Sequence, residues 1–107
     1  MTIIDSLTPA SFAPKDPAEI VLLAFDFADA AGPAVTLSGS TVSVSVHRGA
    51  DANPSAILSG SPTINGLQVL QRVVGGLGGV TYSVKAQVDA SDGSRYVLAG
   101  LLPVRSA

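Results

Sequence analysis

Few residues in this chain have a type and spacing that could do chemistry. His47 is the only histidine and stands beside Arg48, and there are no cysteines. A metal site needs further imidazole or thiolate ligands, so no metal is expected and His47 reads as a surface or loop residue. Glu19, Asp26 and Asp29 suggest a hydrolytic carboxylate pair or oxygen ligands for calcium. No loop alternating Asp and Asn around a glycine supports calcium. With five aromatic residues and no tryptophan, no aromatic-lined sugar groove is in view. An acidic patch, solvated or interfacial, is the reading kept. The run Val74-Gly75-Gly76-Leu77-Gly78-Gly79-Val80 has the glycines of a phosphate cradle but lacks the Gly-Lys-Ser/Thr and the helix such a loop requires; it reads as a turn. The serines form no Gly-x-Ser-x-Gly elbow, and Pro54 spoils Asn53-Pro54-Ser55 as a glycosylation site. The expectation is a chain that is not an enzyme, with no catalytic residue and no cofactor.

The elements that would carry these residues read as short strands. Residues 1–19 form an extended arm, because Pro9, Pro14 and Pro17 lack amide donors and hold their predecessors extended. Ile3, Ile4, Leu7 and Phe12 give the arm apolar anchors without periodicity, so it cannot build a core. It either lies along its own domain or docks on a neighbour, and the second reading is preferred. Removal of residues 1–13 is expected to leave a folded domain that no longer incorporates into particles. Residues 20–27 alternate as a strand with Val21, Leu23, Phe25 and Phe27 on one face. The opposite face is also apolar until Asp26, which suits a strand central between two layers or one beneath a partner; a helix over 19–31 is the rival. Residues 41–46 alternate Val with Thr and Ser, the pattern of a half-buried strand.

Residues 48–55 read as a loop, 56–58 and 63–65 as strand pieces around Gly60 and Pro62, and 67–74 as a further strand. Residues 80–88 alternate most regularly, with Val80, Tyr82, Val84, Ala86 and Val88 inward. A turn at Ser91-Asp92-Gly93-Ser94 then leads into a closing strand over 95–104, forming a hairpin. About seven short strands with Gly- and Pro-rich turns predict an all-β, immunoglobulin-like antiparallel β-sandwich. The domain is set at 20–107 and the arm at 1–19. Tyr82 occupies the place of a tyrosine corner, packing in the core with one hydroxyl hydrogen bond.

The composition points to assembly. Charged residues are 13% of the chain and hydrophobic ones 47%, against roughly a quarter charged in an ordinary soluble domain. Such a surface is read as one to be covered by other proteins. The net charge of −2 argues against nucleic acid. No apolar run approaches the ~20 residues of a membrane span, and residues 1–7 have no basic segment of a signal peptide. Acidic residues gather in 1–35 (Asp5, Asp16, Glu19, Asp26 and Asp29 against Lys15). The rest of the chain is mildly basic, an asymmetry that reads either as steering head-to-tail packing or as scattered solvated charge.

Three segments together resemble a family of small tailed-bacteriophage virion proteins, the fiber–tail adaptor proteins. They are Lys15-Asp16-Pro17 with the strand leading to Asp26-Phe27-Ala28-Asp29; the Thr/Val/Ser strand 41–46; and Gly79-Val80-Thr81-Tyr82-Ser83-Val84 with Ala90-Ser91-Asp92-Gly93. The resemblance spans about residues 14–104. The chain departs from the family in lacking a tryptophan near Phe27, in its arm over 1–13, and in its apolar stretch 101–105.

The resemblance implies a non-enzymatic virion part, assembled in the host bacterial cytoplasm, that attaches fibers to the tail or neck. Its partners would be fiber, tail, neck or capsid proteins and further copies of itself. The expected interface residues are Ile3, Ile4, Leu7 and Phe12 on the arm, Lys15 and Asp16 at its root, and Leu101 and Leu102 near the other end. The alternatives are a capsid decoration protein of the same fold and a carbohydrate-binding adsorption module.

Overall fold

The computed structural model describes residues 2–3, 10–28 and 35–105. Two sheets face each other. The first is ordered β1 (Thr2–Ile3), β3 (Val21–Asp26), β6 (Gln68–Val73), β5 (Leu58–Asn65). The second is ordered β2 (Ala10–Ser11), β8 (Arg95–Pro103), β7 (Thr81–Ala90), β4 (Leu37–Arg48). The six long strands pair antiparallel, while the two-residue strands β1 and β2 add to the edges in parallel. The chain is an all-β, immunoglobulin-like sandwich.

Alternation in the sequence becomes alternation in burial. Along β7, Tyr82, Val84, Ala86 and Val88 have no exposed surface, and Val80 just before the strand is also buried. Lys85 points out. β7 pairs with β8 without a slip, from Thr81 opposite Pro103 to Asp89 opposite Arg95. Their turn closes through the Ala90 amide on the Ser94 carbonyl, with Gly93 at a φ of 88° that a side chain would resist. β3 contributes Leu23 and Phe25, and Phe27 follows them into the core. The described part of 19–31 holds no long helix, because every residue of β3 has a cross-strand partner in β6. Each large apolar side chain so buried contributes roughly 1.5–3 kcal/mol before entropy is counted.

Two boundaries differ from expectation. The strand expected at 41–46 runs from Leu37 to Arg48, with irregularities between Ser38 and Thr41 and between Val46 and Arg48. The pieces at 56–58 and 63–65 are one irregular strand, β5, preceded by a turn of 3-10 helix at Pro54–Ile57. The irregularity sits at Gly60 to Pro62. There the buried amide of Gln71 donates to the carbonyls of Ser59 (3.3 Å), Gly60 (3.2 Å) and Arg72 (2.9 Å). A side-chain amide thus bonds backbone carbonyls at the start of the irregularity and ties them to β6.

The reading of the arm is corrected where the arm is described. Residues 10–15 lie along their own domain: Ala10 is opposite Gly100, Ser11 opposite Leu101, and Lys15 bridges to Val104. Phe12, 4% exposed, enters the core and meets the Phe25 ring edge-on at 5.6 Å. β3 and β8 lie next to the short outer strands on the same side of the sandwich, so the gap between the sheets admits a large ring from the passing chain. The boundary drawn at residue 19 therefore falls within packed structure.

Removing Phe12 should cost the domain its stability. Phe12→Ala is expected to lower the unfolding free energy by about 3–5 kcal/mol in urea titration, and deletion of residues 1–13 to do at least as much. Unchanged midpoints would show that the arm is not part of the folded unit.

Candidate partner interface

The root of the arm is built by short-range hydrogen bonds. The Asp16 amide donates to Glu19 Oε1 at 2.7 Å, the Ala18 amide to Asp16 Oδ1 at 2.8 Å, and the Glu19 amide to the Asp16 carbonyl at 2.9 Å. Pro17 fixes φ inside this turn. Beside it Lys15 is 1% exposed, and its ammonium donates to the carbonyls of Gly75 (2.7 Å) and Asp16 (3.0 Å). Burial holds the Lys15 ammonium below the usual lysine range, opposed by the nearby charges of Glu19 and Asp16. The lysine ties the arm to the glycine-rich loop.

That loop is anchored again from below. The Tyr82 hydroxyl accepts the Leu77 amide at 2.9 Å and donates to Asp51 Oδ2 at 2.6 Å. Tyr82 is wholly buried, so one side chain joins the loop after β4 to the loop before β7. Burial first, and the bond to Asp51 second, raise the tyrosine above its ordinary range. The Tyr82 hydrogen bond, helped by the Asn53 amide, lowers Asp51. Gly76 has a φ of 96°, and a Cβ there would lie 3.1 Å from Val104 Cγ2 and 3.4 Å from the Tyr82 ring. Only glycine fits that approach.

Large apolar side chains stand exposed on this loop and at the start of β3. Leu77, held up by its amide bond to Tyr82, is 51% exposed. Ile20 immediately precedes β3, whose Val21 lies opposite Val73 at the end of β6, just before the loop. It is 62% exposed, and Leu22 on the same outer face is 41% exposed. Ala24 and Leu70, opposite one another, continue this face half-buried, while Arg72, opposite Leu22, is exposed.

The residues expected at the interface separate into groups. Phe12, Lys15 and Leu102 are buried inside the chain's own fold, so that packing leaves them almost no surface to offer. Asp16 is half-buried in the turn, and Leu101 half-buried on the outer face of β8. Ile3 has its backbone in β1 opposite Phe25. Ile4 and Leu7 lie outside the described residues, as does Asp29. Glu19 and Asp26 stand at opposite ends of β3, roughly 20 Å apart at a strand's rise, so they form no carboxylate pair. His47 is exposed at the end of β4. Sequence reading took the glycine run only as a turn and missed Leu77. The signal was present in a lone large aliphatic flanked by two glycines on each side.

A profile of the family described as Podophage GP4 fiber-tail adaptor protein gp77 matches residues 15–102. A comparison with curated proteins found no match.

The Tyr82–Asp51 bond makes acid stability depend on one carboxylate. Because the folded state lowers Asp51, its contribution is fully present above the ordinary aspartate value of ~3.9 and is lost as pH falls through the depressed one. Lys15 acts in the alkaline range. Its lowered value makes the unfolded chain bind the proton more readily, so its penalty on the fold is relieved as pH rises from the folded value toward ~10.4. Thermal unfolding of Asp51→Asn between neutral pH and pH ~3 should show a lower neutral-pH midpoint and a shallower acid decline than the parent chain. Identical acid slopes would remove Asp51 from the account.

Proposed function

We propose how this chain, which belongs to the podophage GP4 fiber-tail adaptor protein family, makes its attachment. The family is one of structural adaptors rather than enzymes, and the chain is a phage virion structural protein whose partners are tail and fiber proteins. Among the described residues no helix is long and apolar enough to cross a membrane. The attachment itself is assigned to the arm and to the apolar face beside its root.

The observation that supports this reading is that Ile20, Leu22 and Leu77 are all more than 40% exposed, with the loop that carries Leu77 tied down by buried Lys15 and Tyr82. Burying an exposed aliphatic side chain fully is worth roughly 1.5–3 kcal/mol gross, and ordering costs consume part of it. Rigid presentation reduces those costs, because the loop carrying Leu77 is already tied to Lys15 and Tyr82. Arg72, opposite Leu22, and Glu19 and Arg105 are exposed as well and would supply a polar rim that sets orientation. Ile3, Ile4 and Leu7 on the arm, with Asp16 at its root and Leu101 on β8, extend the proposed contact. Phe12, Lys15 and Leu102 serve it from within by holding the arm to the domain. The mechanism is static: apolar surface passes from water to a neighbouring protein.

Two variants test the two halves of the proposal. A chain lacking residues 1–9 keeps Phe12 and Lys15, and Ile20→Asp with Leu22→Asp changes only exposed side chains. Both should retain a β-sheet circular dichroism spectrum. Each should reduce incorporation into particles, measured against the parent chain in the same assembly reaction, by about tenfold or more. Full incorporation of either folded variant would remove that half from the attachment.

A further inference from the structure

The outer face of the second sheet points away from Ile20 and Leu22 and has a chemistry of its own. Lys85 is at the middle of the outer row of β7, with Ser43 of β4 on one side and Ala99 of β8 on the other. Arg48 lies opposite Thr81 towards one end of this face, and Arg95 opposite Asp89 towards the other. The strands of this sheet thus set three cations against one carboxylate, in a chain whose net charge is −2. Arg95 donates to Asp89 at 2.8 Å, the only salt bridge among the described residues. Lys85 and Arg48 are exposed, with no such counter-charge among the described residues. Beside them β8 adds an apolar row: Val97 is 40% exposed, Ala99 is exposed, and Leu101 and Pro103 are half-buried. On the outer face of the first sheet, by contrast, Asp26 balances Arg72.

We infer that this cationic face takes the fiber, given the attachment proposed above, in which the arm and the side carrying Ile20 and Leu22 hold the chain to the particle. An adaptor has a second partner to hold, and the face that points the other way remains for it. Charge decides that partner's chemistry. Lys85 and Arg48 are four residues apart along the strands and one strand apart across them, roughly 14 Å. That exceeds the screening length of ~8–10 Å, so each cation acts on its own carboxylate and one small anion cannot answer both. The occupant is therefore a protein surface with at least two separated carboxylates and aliphatic side chains for the β8 row. The three long strands and the nine residues of β8 give a face of about 30 by 15 Å. This is about half the ~800 Å² that each partner brings to a standard interface. At that size charge acts mainly on the rate of encounter, and the apolar row on how long the fiber stays. Leu101 is the one residue this face shares with the attachment to the particle.

Particles assembled with variant chains separate the two contacts, because adaptor content and fiber content are counted independently. Lys85→Glu with Arg48→Glu should leave adaptor content at the parent level and slow the loading of purified fibers onto fiberless particles by about tenfold or more. Loading by the parent chain should slow as salt rises from ~0.1 M to ~1 M, and the charge-reversed variant should instead speed up. Val97→Ser should shorten fiber residence and leave the loading rate unchanged. Parent loading that ignores salt, or a reversed variant that loads at the parent rate, overturns the inference. Loss of the adaptor itself from particles of the reversed variant also overturns it, because the face would then serve the tail or a second copy of the chain. Ile20→Asp with Leu22→Asp fails in a different place. If that variant keeps full adaptor content, the attachment to the particle is wrong, while fiber loading still reads the cationic face.

Discussion

Unpaired backbone at the margins of two small sheets is the constraint on which the rest of this structure depends. Six long strands make two antiparallel sheets, and each margin exposes amides and carbonyls that must be paired, blunted or solvated. The arm serves two margins by adding β1 to β3 and β2 to β8. Once β2 is in place, the chain continues along β8 through Phe12 and Lys15, and the core closes around a ring that the arm supplies. Edge protection and core filling are therefore one event. This explains why a proline-rich segment with no periodicity of its own becomes fixed structure.

The same docking positions the candidate interface. Lys15 reaches Gly75 only because the backbone from Phe12 to Lys15 is held against β8. Tyr82 grips the other side of the glycine loop, and Leu77 is left standing in water between the two anchors. A buried ammonium satisfied by carbonyls is a costly way to secure a loop, since desolvation opposes its charge. Its use here fits a loop that must present an apolar side chain in one place. Sparse charge and an apolar outer face on β3 are features that neighbours in a particle would cover, in keeping with a fiber-tail adaptor.

Much of the fold was legible because its signals are local. The period-two pattern of 80–88, the turn at Gly93 and the Val/Ser alternation of 41–46 each report which face of a strand meets the core, and all three appear as read. Contacts between distant residues were not legible. Tyr82 was placed inward from its strand, but its partner Asp51 is 31 residues away, in a loop whose path depends on the whole sandwich. Lys15 looked like surface because lysine almost never buries unpaired; the Gly75 carbonyl that receives it lies 60 residues on. Phe12 looked like an anchor for a neighbour because nothing in its own segment could bury it, and the gap it fills exists only once the two sheets are stacked. Ile20 and Leu22 were visible as an apolar outer face, although whether a neighbour covers such a face is not written in the strand itself.

The exposed apolar surface of this molecule is proposed to be completed by tail and fiber proteins. A side-chain-resolution reconstruction of the assembled particle tests it most directly. Ile20, Leu22 and Leu77 should be buried there against a tail or fiber chain, with the arm root seated as it is here. The same residues facing solvent in the native particle, with every neighbour elsewhere on the surface, would contradict it.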